Sequence, residues 1–187
     1  MRAAADIAGE LPPAVAPAVP SFPEVYRDYS AFLWRALRSL GVREADVEDV
    51  CQEVFLIVHR KLDEFTHRAS LRTWLYSIAI RCAADYRRRA HVKREAPTSD
   101  AIDAPVDASQ PASVAERQAL AVLDGILDTL DEAKRAVFVL YEIEELTMAE
   151  VAEALGCPVQ TAYSRLHAAR DAFQAAVKRH QAKERSS

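Results

Sequence analysis

The chain has 187 residues, half of them apolar, with 24 Lys and Arg against 28 Asp and Glu for a net charge of −4; this suits one ordinary domain or two small ones and excludes a uniformly basic polyanion binder. The longest apolar run, VFLIV at 54–58, falls far short of the roughly 18 residues a membrane span needs, and no apolar signal-peptide core opens the chain, which predicts a cytoplasmic protein without direct membrane insertion. Only four glycines, and cysteines Cys51, Cys82 and Cys157 too far apart for a metal site or a disulfide frame, point to an all-α protein of a reducing compartment with no metal and no cofactor.

Residues 1–23, with PPAVAPAVP, have no periodic pattern and read as a disordered tail. A first helix follows from Pro23, with Val25, Tyr29, Phe32, Leu33, Ala36, Leu37 and Leu40 at three- and four-residue spacing and Gly41 as its terminator. A second starts after Arg43, its stripe being Val47, Val50, Cys51, Val54, Val58 and Leu62. Ser70 caps a third, whose inward face is Leu71, Trp74, Leu75, Ile78, Ala79, Cys82 and Tyr86 and whose end is the basic run RRRAHVKR. The segment 96–112 carries Pro97, Pro105, Pro111, Asp100, Asp103 and Asp107 with no basic or aromatic residue, and reads as a flexible acidic linker. Beyond it, 114–130 is amphipathic, and Asp131 caps a helix carrying Val137, Leu140, Tyr141 and Ile143. Thr147 and Glu150 form the capping box of a short helix that stops at Gly156, and Pro158 opens the last one. The predicted architecture is two small helical domains, 24–95 and 113–180, with a tail at 181–187. Charge divides with them: +3 over 24–95, −3 over the linker and −3 beyond it.

Three surfaces ask for a function. TMAEVAEALGCPVQTAYSRL has the form of a helix-turn-helix, with Ala152 at the crossing, Gly156 in the turn and Val151, Leu155, Ala162 and Leu166 between the helices. An antiparallel hairpin that binds nothing has the same spacing. The last helix buries Ala162, Leu166, Ala169 and Phe173, and presents Gln160, Thr161, Ser164 and His167 flanked by Tyr163, Arg165 and Arg170, a hydrogen-bonding face with few charges. The run Arg81, Arg87, Arg88, Arg89, Lys93 and Arg94 suits a phosphate backbone, or a solvated helix end complementing the dipole. Trp74 lies in the core stripe, although aromatic faces also stack on unpaired bases. On the second helix, Asp49, Gln52, Glu53 and Arg60 surround an outward Leu56, which fits either a protein interface with a basic helical partner or a solvated face. No Gly-rich phosphate loop, H-E-x-x-H, G-x-S-x-G or His/Cys ligand spacing is present, so no catalytic residue is assigned.

Taken together, DVEDVCQEVFLIVHRKLDEF followed by LRTWLYSIAIRCAADYRRR resembles region 2 of bacterial RNA polymerase sigma factors of the extracytoplasmic-function group, and LDEAKRAVFVLYEIEELTMAEVAEALGCPVQTAYSRLHAAR resembles their region 4. The resemblance covers 24 to about 177 and implies a non-enzymatic factor that brings core RNA polymerase to promoters and assists melting. It implies that Asp49, Gln52, Glu53, Phe55 and Leu56 dock on the clamp helices of the largest subunit, and that region 4 meets the flap of the second-largest subunit. For the −10 element and melting it implies the loop residues Thr66, His67, Arg68 and Ser70, and Arg72, Trp74, Tyr76, Ser77, Arg81 and Arg88 on the helix, with Asp85 on the same segment. For the −35 element it implies Gln160, Thr161, Tyr163, Ser164, Arg165, His167 and Arg170. An anti-sigma protein is a further implied partner. Arg81 stands where many members have Asn, and Tyr163 and Ala168 where members often carry cations, which implies weaker salt dependence and a different preferred promoter. The rival class is a stand-alone helix-turn-helix regulator whose first domain is a helical dimerisation module.

Overall fold

In the computed structural model, residues 19–95 and 114–185 are described; the first 18 residues of the expected tail and the expected linker lie outside them. The first domain is α1 (Phe22–Ser39), α2 (Val47–Lys61) and α3 (Leu71–Glu95); the second is α4 (Val114–Leu127), α5 (Glu132–Phe138), α6 (Met148–Leu155) and α7 (Val159–Glu184). Among the described residues every regular element is helical, and none is long and apolar enough to cross a membrane.

Each helix begins and ends for a local reason. Before α1, the Glu24 carboxylate accepts from the Ser21 backbone N–H at 2.8 Å, a capping contact that starts the helix at Phe22, one residue ahead of the expected start. Gly41 ends the helix at φ +96, a conformation that only glycine adopts without strain. A 3₁₀ turn over Glu44–Asp46 leads into α2, and another over Leu62–Glu64 follows it. Ser70 Oγ accepts from the Thr73 N–H at 3.0 Å, and Asp131 Oδ1 from the Lys134 N–H at 2.9 Å, so both expected caps are in place.

At α6 the Thr147–Glu150 box is closed in both directions, at 2.9 and 3.4 Å, and Gly156 terminates the helix at φ +61. Hydrogen bonds from the Thr147 backbone and side chain hold the Glu150 carboxyl below its usual value. A depressed carboxyl contributes stability above its unfolded pKa and loses it as pH falls through the lowered folded value. Thr147→Ala is expected to cost about 1 kcal/mol, read as a lower urea midpoint with an unchanged slope.

The core runs through both domains. Leu33, Ala36 and Leu37 of α1, Val47, Val54 and Val58 of α2, and Leu75 and Ala79 of α3 are fully buried in one cluster with Val137, Leu140, Val151 and Ala162. The expected stripes are thereby found, with Tyr29, Phe32, Cys51, Leu71, Trp74, Tyr86, Tyr141, Ile143 and Phe173 half-buried at their margins. Burial pushes the Cys51 and Cys82 thiols up to about 11, which suits packing better than thiol chemistry.

Two features depart from the expected pattern. First, α3 packs on α6 as well as on α1 and α2, and buries Thr73, Tyr76, Ala83 and Ala84 beside its expected stripe. A helix shared by two domains needs two apolar faces. Second, α5 continues into a π turn, Val139–Ile143, and its Arg135 is 1% exposed. The Arg135 Nε donates to the Ser39 carbonyl at 2.8 Å and Nη1 to Asp128 Oδ1 at 2.5 Å. Burial lowers the Arg135 pKa, and the Asp128 carboxylate partly offsets this.

Candidate nucleic-acid and protein interfaces

The outer row of α2 is open. Asp49, Gln52 and Glu53 are exposed and Leu56 is 57% exposed among them. An apolar side chain of that size within an acidic and amide rim is open to a partner. Glu53 also accepts from Arg89 of α3 at 3.0 Å, which joins this row to the basic run. Phe55 differs from its expected role: it is 5% exposed and packs on Tyr26 and Phe22, with ring centroids 4.7 and 6.2 Å away. One residue past Val54, it points into the α1–α2 seam beside Tyr26, which is 53% exposed.

The residues expected at the −10 element separate into two groups. Thr66, Arg68, Trp74, Ser77 and Arg81 line one wall of a cleft whose other wall is Glu153 to Gly156, the end of α6 and its turn. Trp74 is half-buried with its ring 5.3 Å from Phe65. Arg81 is exposed and folds back along α3, donating to the Ser77 carbonyl at 2.7 Å. His67 lies in the left-handed region at φ +56, its ring 4.6 Å from Phe65 and its Nε2 buried without a hydrogen-bond partner. Backbone strain of this kind collects at sites where the surroundings over-determine a conformation.

The other group is committed elsewhere. Ser70 caps α3. Arg72 donates to the Glu144 carbonyl and carboxylate, both at 3.1 Å, and lies over the Phe32 and Tyr76 rings. Arg88 pairs with Asp85 one turn earlier. Tyr76 is a correction: it is fully buried against Phe32, ring centroids 4.6 Å apart, so it cannot meet DNA in this arrangement. Burial, and then the Glu144 carboxylate, push its hydroxyl well above the usual tyrosine value.

In the second domain, α6 and α7 meet as expected of a helix-turn-helix. Val151 and Ala152 of α6 are buried with Ala162, Leu166 and Ala169 of α7, and Phe173 stacks on Phe138 at 4.6 Å. Gln160, Tyr163, Ser164 and His167 stand exposed on the opposite face, Thr161 and Arg165 half-buried beside them. His167 Nδ1 lies 3.2 Å from Asp171. Ser164 Oγ donates to the Thr161 carbonyl at 2.9 Å. Arg170 is held by Glu142 at 2.6 Å and lies over the Tyr141 ring, which fixes the guanidinium beside the π turn. Sequence reasoning missed this anchor, because a π turn has no spacing signature.

A three-helix domain with an open acidic row, joined to a helix-turn-helix with an exposed polar reading face, defines a DNA-binding protein built to hold a protein partner as well. Residues 25–92 match sigma-70 region 2 and residues 120–173 match sigma-70 region 4. The ECF RNA polymerase sigma factor SigE of Mycolicibacterium smegmatis is 30% identical over 165 residues, 87% of this chain; the chain spans 64% of that relative's length. RNA polymerase sigma factor NccH of Alcaligenes xylosoxydans xylosoxydans is 30% identical over 80% of this chain and 83% of its own, and the ECF sigma-E factor of Escherichia coli is 31% identical over 74% and 77%. The solved structure of CnrH in complex with the cytosolic domain of CnrY superposes with a TM-score of 0.63 at 28% identity, covering 84% of this chain and 87% of that one. The chain belongs to the extracytoplasmic-function group of sigma-70 factors, the alternative sigma factors that direct RNA polymerase to promoters. A region 2 preceding a region 4 disfavours the stand-alone regulator.

Proposed function

We propose that α2 docks the chain on core RNA polymerase, that the loop 63–70 and the cleft face of α3 hold the −10 element during melting, and that α7 reads the −35 element in the major groove. The observation that carries the reading is the presence of region 2 and region 4 in order in one chain, each with an exposed polar face. Asp49, Gln52, Glu53 and Leu56 meet the clamp helices of the largest subunit, with Phe55 as their support. Thr66, His67, Arg68, Trp74, Ser77 and Arg81 face the melted strand, Ser70 shapes the loop, and Arg72 and Arg88 serve once released from their present partners. Gln160, Thr161, Tyr163, Ser164 and His167 face base edges, while Arg165 and Arg170 approach phosphates. Region 4 also meets the flap of the second-largest subunit. The chain works in the cytoplasm as a non-enzymatic factor; the chemistry of RNA synthesis belongs to the polymerase. CnrH is seen with the cytosolic domain of CnrY, and a partner of anti-sigma type is proposed here by that likeness.

The experiment is permanganate footprinting of the holoenzyme on a promoter it uses, with Arg88→Ala and Arg89→Ala combined. Each lost phosphate contact lowers the salt slope by about 1, so thymine reactivity in the melted segment should drop in the double variant. Unchanged reactivity at every salt concentration would return the basic run to a solvated helix end.

A further inference from the structure

Two of the large apolar side chains left exposed among the described residues stand four positions apart on α7: Val159, 44% exposed, and Tyr163, 51% exposed. Four residues is close to one helical turn, so the two lie one above the other on the same face, about 6 Å apart along the axis. The core takes Ala162, Leu166 and Ala169 from the same turns and leaves this pair out.

The neighbours of the pair decide what it can meet. Gln160, Ser164 and His167 share the face and are exposed. Two arginines lie between Val159 and Asp171, and neither serves this face. Arg165 is half-buried, two residues and so about 200° round the helix from Tyr163. Arg170 stands about two turns beyond Tyr163 and is held by Glu142 at 2.6 Å over the Tyr141 ring. Asp171, 3.2 Å from His167, puts a negative charge where the face continues, so the stretch open to DNA is Val159 to His167. Guanine presents two acceptors in the major groove, N7 and O6, and is read by the donors of Arg or Lys; a face with neither lacks that reader. Thymine presents its C5 methyl to an apolar side chain, and adenine its N7 and N6 to the amide of Gln. Val159, Tyr163 and Gln160 are of those two kinds. The spacing of Val159 and Tyr163 is also close to two base-pair steps of ~3.4 Å each.

We propose that α7 recognises an A·T-rich −35 element through thymine methyl groups, with Val159 and Tyr163 each covering one methyl and Gln160 bonding an adenine beside them. The proposal rests on the placing of α7 in the major groove of the −35 element. Val159 thereby becomes a specificity residue, and Tyr163 reads by apolar contact instead of by charge. Apolar contact releases no counterion, so this part of the affinity does not fall with salt.

Promoter selection followed by removal of single methyl groups tests it. Holoenzyme assembled with the full chain initiates on fragments randomised only across the −35 segment, and the enriched templates are sequenced. A·T pairs should dominate at two or more positions. At each of these, thymine is then replaced by uracil, which removes the C5 methyl and keeps the hydrogen-bonding edge. Initiation at limiting holoenzyme should fall about fourfold per methyl. The loss should vanish at one position in Tyr163→Ala and at another in Val159→Ser, with circular dichroism checking that both variants keep their helix. Enrichment of G·C pairs, or uracil templates as active as thymine ones, overturns the thymine reading and leaves α7 in its groove. A uracil loss that both variants retain belongs to the DNA alone and overturns it as well. No enrichment anywhere in the segment, with initiation still dependent on the −10 element, removes α7 from the −35 element and the proposal with it.

Discussion

Glu53→Lys is expected to lose core polymerase while keeping its fold and the DNA-reading capacity of α7. Glu53 is exposed on α2 next to Leu56 and pairs with Arg89 at 3.0 Å. Exposed ion pairs of that kind contribute little to stability, so breaking it leaves the domain folded. Against a basic helical partner, however, the reversal replaces an attraction by a repulsion at the centre of a docking patch. Charged groups at such centres are worth about 2 kcal/mol or more, roughly thirtyfold in Kd. Native gel shift or size-exclusion chromatography with purified core enzyme reads the effect, and circular dichroism of the same sample separates it from unfolding. Retention of wild-type affinity would move the docking surface away from this row.

The second large effect is expected in the core. Leu75 is fully buried on α3, the helix that packs on α1, α2 and α6. Leu75→Ala removes three methyl-equivalent groups from a fully buried position of that helix, and the loss of transfer energy plus the cavity costs about 2–5 kcal/mol. Domains of this size have a total stability of about 5–15 kcal/mol. For mid-range values the urea midpoint should therefore fall by about a third, and a variant within error of wild type would mean that α3 is not the centre of the fold.

What the chain revealed before its structure was known is largely local. Ser70, Asp131, Thr147 with Glu150, Gly41 and Gly156 act within a few residues of themselves, so capping chemistry located most helix ends correctly. The stripes on α1, α2 and α7 follow from period alone. Arg135 shows where that method stops. In DEAKRAVF it looks like the solvated side of a first turn, yet its acceptor is Ser39, 96 positions earlier, and no window contains both. The resemblance carried by LRTWLYSIAIRCAADYRRR takes Tyr76 to DNA, although Tyr76, Ile80, Ala83 and Ala84 already form a second small and apolar row on α3. That row was the available sign of a helix packed on two sides. Phe55 was displaced for a similar reason: motif membership placed it on the docking face, and its aromatic neighbours Phe22 and Tyr26 placed it in the seam.

The roles assigned to α2, the α3 cleft and α7 converge on one activity. Run-off transcription with purified core polymerase and this chain, on a library of promoter fragments and across a range of salt, measures it directly. Initiation at a narrow set of fragments, dependent on the chain and lost with Glu53→Lys, is the expected result. Transcripts that do not change when the chain is added, at any salt concentration, would contradict the account.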